Sequence, residues 1–183
     1  MEYRKAHAIA LNLEAQIRPY CLRTAIVGSV RRKKPDVKDI EILAIPRTVD
    51  EKDMFGTTVG HTSLLDPYLE TLGVSVKGGD KYKKILLPEG IYLDLFLCLP
   101  PAQWGVMQAI YTGPKDISQA FVSPRNRGGL LPSWAKIKDG WQIYVGGNPK
   151  EIPEEKDFFS FCEIGYIEPE NRGDWRKILH GKR

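Results

Sequence analysis

Residues 28–43 read GSVRRKKPDVKDIEIL, and the fold turns on how the last five of them are read. Asp39-Ile40-Glu41-Ile42-Leu43 alternates acid and aliphatic residues before running apolar. As a β-strand it sets Asp39 and Glu41 on one face, ~7 Å apart along the chain, and Ile40 and Ile42 on the other. The strand IYLDLFLCL at 91–99 offers a third acid, Asp94, among apolar neighbours. If the two strands pair, three carboxylates meet on one sheet face. Two unit charges ~5 Å apart repel by ~3 kcal/mol at an effective dielectric of 20. Divalent cations remove that cost, and carboxylate oxygens are the ligands Mg²⁺ prefers. Pairing with Lys or Arg at a strand edge is the bland alternative for each acid.

Just upstream, Thr24–Val27 is a short apolar strand ending in Gly28-Ser29. Such a turn exposes backbone N–H groups and a hydroxyl, which suits phosphate oxygens. Arg31 and Arg32 follow at once, and Arg pairs well with phosphate. Phosphate donors and metal-ligating acids therefore share one strand-loop-strand unit.

Further out, residues 4–18 predict a helix from Ile9, Leu13 and Ile17 with Ala6 and Ala10 beside them. Residues 47–61 are polar and Gly/Thr-rich and read as a loop. A helix over 62–73 has Thr62 or Ser63 as cap and Gly73 as stop. Strands follow at 74–77, 81–87 and 91–98. Helices are expected at 102–110 and from Pro114 to about 122. SWAKIKDGWQIYV (133–145) reads as a hairpin about Asp139-Gly140, and a last helix runs near 154–162. The predicted fold class is α+β: a mixed sheet with flanking helices in residues 1–111 and a small α+β lobe in 112–183.

The chain has 183 residues with 27 basic and 23 acidic side chains, a net charge of +4. That permits a nucleic-acid partner without demanding one. The three cysteines, Cys21, Cys98 and Cys162, are widely spaced and read as reduced core residues. The three histidines are scattered, with no Cys/His metal spacing. No apolar run is long enough for a membrane span and no signal-peptide pattern opens the chain. The expected setting is the cytoplasm, of a bacterium or of a host cell for a viral or phage protein, with no obligate protein partner.

Gly28-Ser29-x-Arg31-Arg32, then Asp39-x-Glu41, then a distant strand Asp94, resembles the palm of the DNA polymerase beta superfamily of nucleotidyltransferases. IYTGP at 110–114 is similar to the element in which family X DNA polymerases hold the sugar of the incoming nucleotide. EEKDFFSFCEIGYIEPENR at 154–172 is similar to that family's C-terminal segment. The resemblance covers nearly the whole chain.

It implies a nucleotidyltransferase palm and a DNA polymerase activity, adding dNMP to a DNA 3′-OH with release of pyrophosphate, in gap filling or repair. Asp39, Glu41 and Asp94 would hold two Mg²⁺ ions, for which Mn²⁺ can substitute, with Asp94 on the catalytic ion. Gly28, Ser29, Arg32 and Lys38 would hold the triphosphate. Tyr111, Thr112 and Gly113 would line the sugar pocket, and Asp116 and Ser118 would either contact the base or lie on a helix surface. The partners implied are a DNA primer/template and a nucleoside triphosphate. Lys81, Lys83 and Lys84 in KGGDKYKK, with Arg125 and Arg127 in RNRGG, would grip the DNA. Trp134 and Trp141 would either stack on bases or pack against their own lobe.

The sequence departs from the family in two places: Glu41 stands where an Asp is usual, and Tyr92 where the vertebrate polymerase has an Arg. With 27 residues before Gly28, no lyase domain and no sugar-phosphate lyase activity are expected. Untemplated terminal transfer, nucleotidylation of another acceptor, and a non-catalytic nucleic-acid-binding module are the alternative readings.

Overall fold

In the computed structural model, which describes residues 1–180, the chain runs α1 (Tyr3–Ile17), β1 (Cys21–Ile26), α2 (Gly28–Arg31) and β2 (Asp39–Pro46). There follow β3 (Thr48–Lys52), β4 (Thr58–Ser63), α3 (Asp66–Leu69), β5 (Val74–Lys77), β6 (Tyr82–Leu86) and β7 (Tyr92–Leu97). The second half contains α4 (Trp104–Thr112), α5 (Lys115–Val122), β8 (Ala135–Lys138), β9 (Gln142–Val145), β10 (Asn148–Lys150), α6 (Glu155–Phe161) and α7 (Trp175–His180). The architecture is α+β: a mixed five-stranded sheet, order β1-β2-β7-β6-β5, and two small antiparallel sheets, β10-β9-β8 and β3-β4.

β2 and β7 pair in parallel; the other pairs of the main sheet are antiparallel. One face of that sheet is dry. Ile40, Ile42, Leu93 and Leu95 are fully buried there and pack with Ala6, Ala10, Leu13 and Ile17 of α1. The 4-3-4 spacing of those helix residues is the apolar stripe that makes α1 amphipathic. A second core, built on Phe121, Phe158, Phe159 and Ile143, fills the C-terminal lobe and includes Val106, Ala109 and Ile110 of α4. A smaller cluster of Val27, Leu43, Cys98, Trp104 and Met107 joins the two.

Several expectations are corrected. Residues 47–61 are not a loop but mostly the β3–β4 hairpin. Every residue of β3 is exposed, so no apolar alternation marks it. Its turn is held locally, with the Asp53 carboxylate accepting the Phe55 and Thr57 N–H groups, each at 2.9 Å. The helix expected over 62–73 contracts to Asp66–Leu69. Thr62 and Ser63 belong to β4, and Pro67 has no N–H to extend a helix toward them. Gly28-Ser29 is not a plain turn but the start of the one-turn helix α2, with Gly28 at φ +63°. β10, α7 and the 3₁₀ turns at Pro169–Asp174 carry no sequence pattern strong enough to have been read. No described helix is long and apolar enough to cross a membrane.

Candidate active site

The parallel register places Glu41 opposite Asp94 and Asp39 opposite Tyr92. Since Ile40, Ile42, Leu93 and Leu95 fill the dry face, the three acids share the other one. Asp94 is 9% exposed and is not alone there. Lys84, its partner on β6, reaches it at 3.2 Å, and the Tyr82 hydroxyl donates to it at 2.6 Å. Lys84, assigned to DNA from the sequence, is thus turned onto a carboxylate.

Glu41 is engaged by the start of α2. Its carboxylate accepts the backbone N–H of Ser29 at 3.0 Å and fills the space beside Gly28, where a Cβ would lie 1.5 Å from Oε2. Burial, with repulsion from Asp39 and Asp94, pushes its carboxyl up to about 7 against the pull of the Ser29 N–H and Arg32. The Ser29 N–H expected to receive phosphate therefore holds Glu41 instead, and Ser29 Oγ is buried without a partner. Among the described residues no three potential ligands converge on a point fit for a metal ion. The donor chemistry, three hard carboxylates on one face with one strongly discouraged from ionising, does suit Mg²⁺.

The two arginines divide sharply. Arg31 makes a bidentate pair with Glu155, at 2.8 and 2.6 Å, and donates to Thr112 Oγ. Glu155 also pairs with the fully buried Arg172 at 2.8 Å and accepts the Tyr166 hydroxyl at 2.8 Å. This network ties α2 to α6 and the segment after it. Arg32 instead lines an open cleft of about 230 Å³ with Glu41, Tyr111, Gly113, Lys115 and Ser118. It donates to the Thr112 carbonyl, its Nε has no partner, and no carboxylate pairs with it among the described residues. Burial lowers its pKa, opposed by Glu41. Lys38 is exposed beside β2.

At the far wall α4 ends at Thr112, Gly113 has φ +67°, and the Gly113–Pro114 bond is cis. The Tyr111 ring stacks on Phe96, 3.8 Å between centroids, with Trp141 edge-on at 5.8 Å. Three assignments shift. Thr112 is fully buried, so its hydroxyl serves Arg31 and not the cleft. Ser118 Oγ clamps α5 to α4 by donating to the Ile110 carbonyl at 2.6 Å. Asp116 accepts from Trp175 Nε1 at 2.8 Å and Arg176 at 3.2 Å, anchoring α7.

The expected DNA grip disperses. Lys83 pairs with Asp66 at 3.2 Å, and Arg125 is held by Glu163 and the Cys162 carbonyl. Lys81 and Arg127 remain exposed. Lys115 in the cleft was not foreseen, although its place directly after Thr-Gly-Pro was visible. Glu155, Arg172 and Tyr166 gave no local signal, because Glu155 lies 124 residues from the arginine it binds. Compared with protein-family models the chain matches none, and no curated protein matches it.

Proposed function

We propose that the protein is a metal-dependent nucleotidyltransferase of the family X polymerase type, adding deoxynucleotides to a DNA 3′ end. The observation that carries this reading is one cleft that sets a half-buried, carboxylate-free guanidinium, Arg32, against Glu41 on the acidic sheet face. A half-buried cation without a paired carboxylate offers a site to an anion, and beside it Asp39 and Glu41 have no basic partner among the described residues.

Asp39, Glu41 and Asp94 would hold two Mg²⁺ ions, which supply charge neutralisation at the triphosphate and acidify the attacking hydroxyl when bound. Arg32 orients the triphosphate, joined by the Ser29 N–H once Glu41 swings to the metal side. Lys115 adds a second positive charge at the cleft wall. Tyr111, fixed by Phe96 and Trp141, presents a flat surface to the sugar. Positioning and electrostatics then carry an in-line displacement at the α-phosphate.

One arrangement favours a second reading, a nucleic-acid-binding module with an idle site: Asp94 is neutralised by Lys84 and Glu41 is seated on Ser29. Labelled primer, with and without template, incubated with each dNTP and Mg²⁺ or Mn²⁺ separates the two. Templated extension is the expected result, and untemplated addition would mark a terminal transferase. Folded protein that incorporates nothing under any of these conditions would leave the binding module.

A further inference from the structure

The C-terminal lobe carries an open sheet face that the cleft does not use. β8, β9 and β10 form an antiparallel ribbon in which Ile137 faces Ile143 and Lys136 faces Tyr144. Ala135, Ile137, Ile143 and Val145 pack into the lobe's core. Alternation therefore sends Lys136, Lys138 and Tyr144 to the opposite side. That side is hollow: a depression of about 450 Å³ is lined by Trp134, Lys136, Lys138, Asp139, Tyr144 and the Gly146-Gly147 turn.

Trp134 is 55% exposed, with Phe161 steadying it edge-on at 5.3 Å. Burying an indole on its own lobe is the usual fate of such a residue; Trp141 follows it and Trp134 does not. Lys136 and Lys138 are exposed, and neither pairs with a carboxylate among the described residues. Lys81 comes up beside the β8–β9 turn, its Nζ 3.1 Å from where a Cβ on Gly140 would sit. The one acid of the hollow, Asp139, accepts the Tyr144 hydroxyl at 2.7 Å. Two lysines against one aspartate in the lining, with Lys81 beside the turn, leave the surface positive.

We propose that this face binds single-stranded nucleic acid, with a base stacked on Trp134 and the flanking phosphates on Lys136 and Lys138. Exposed aromatic rings interleaved with unpaired cations are what a strand without sequence preference requires: every base has a π-face, and every linkage a charge. The glycine turn matters sterically. Added Cβ atoms at Gly146 and Gly147 would meet nothing within 4 Å, so the rim is open to a polymer running through it. The proposal is independent of catalysis in the cleft, since it uses none of the cleft's residues.

The test is anisotropy of a labelled oligo(dT) of about 12 nucleotides, titrated in EDTA over a range of salt concentrations with full-length protein. Trp134→Ala should weaken binding roughly fivefold or more. Lys136→Gln/Lys138→Gln should flatten the dependence of log affinity on log salt by about 1.4, at about 0.7 per phosphate contact on a single strand. Trp134→Phe should retain most of the affinity. Should the alanine variant melt early, Trp134→Gln fills similar space without a π-system and is expected to bind as weakly. Affinity within twofold of wild type for both Trp134→Ala and Trp134→Gln would overturn the proposal. So would binding of polyglutamate as tight as oligo(dT), which would make the face a site for acidic protein chains. Wild type that binds oligo(dT) but extends no primer would count against the cleft reading alone.

Discussion

The Glu41 carboxylate accepts the Ser29 N–H at 3.0 Å, so a residue expected to bind metal occupies a donor expected to bind phosphate. Burial first, then Asp39, lifts its carboxyl from 4.5 to about 7. A carboxyl whose folded pKa lies above its unfolded one is disfavoured in the charged form. The stability this carboxyl contributes to the metal-free protein is therefore fully present below about 4.5 and is lost as pH rises through about 7. At 1.36 kcal/mol per unit the contribution is about 3 kcal/mol. Urea melts in EDTA at about pH 5 and about pH 8 should show wild type losing stability relative to Glu41→Gln. Equal pH slopes for the two proteins would contradict it.

Gly28 makes that contact possible. Its φ of +63° disfavours a side chain, and a Cβ would lie 1.5 Å from the Glu41 carboxylate. Gly28→Ala should cost about 2 kcal/mol or more from backbone strain and the expelled carboxylate. Adding Glu41→Ala should restore part of it. A double-mutant cycle reads the coupling, and strict additivity would show that the two positions do not compete for space.

Asp94 separates catalysis from stability. Asp94→Asn should leave nucleotide binding near normal and reduce turnover at least ~100-fold, equivalent to ~2.7 kcal/mol in barrier height. Because Lys84 and Tyr82 both contact the carboxylate, metal-free stability should fall slightly, by about 1 kcal/mol. Single-turnover extension and thermal melts check the two halves. Intact turnover with a large drop in melting temperature would make Asp94 a structural anchor for Lys84.

Arg32→Ala removes the half-buried guanidinium of the cleft and leaves Lys115. A charged hydrogen bond is worth ~1.5–3 kcal/mol, so nucleotide affinity should fall roughly 10- to 150-fold, with a lower rate. Equilibrium titration with a non-hydrolysable triphosphate measures it. Unchanged affinity would remove Arg32 from the phosphate site.

Arg31 and Glu155 should show in stability instead. Arg31→Ala leaves Glu155 still paired with Arg172, so the loss should be about 2 kcal/mol. Glu155→Ala leaves the buried Arg172 and the part-buried Arg31 without their shared carboxylate and should cost about 3–5 kcal/mol. Denaturant melts should rank the variants in that order; the reverse ranking would mean that Arg31 carries the network.

The sequence by itself determined what depends on near neighbours. The period-two pattern of residues 39–42 put two acids on one face, and the spacing of Ala6, Ala10, Leu13 and Ile17 made α1. Asp94 was visible because an acid stands out in an apolar strand. Tertiary structure decided where the polar side chains end. The β3–β4 hairpin escaped notice because ladder hydrogen bonds, which any residue can make, hold it without a buried face. Asp116, Ser118 and Thr112 carry the right chemistry for a cleft, yet each is drawn elsewhere by a partner, Trp175, Ile110 or Arg31. Glu41 likewise follows the Ser29 N–H, twelve residues upstream. Hydrophobic periodicity is written along the chain. A hydrogen bond is satisfied by whichever donor the folded chain brings within 3 Å, and that is settled only when distant segments meet.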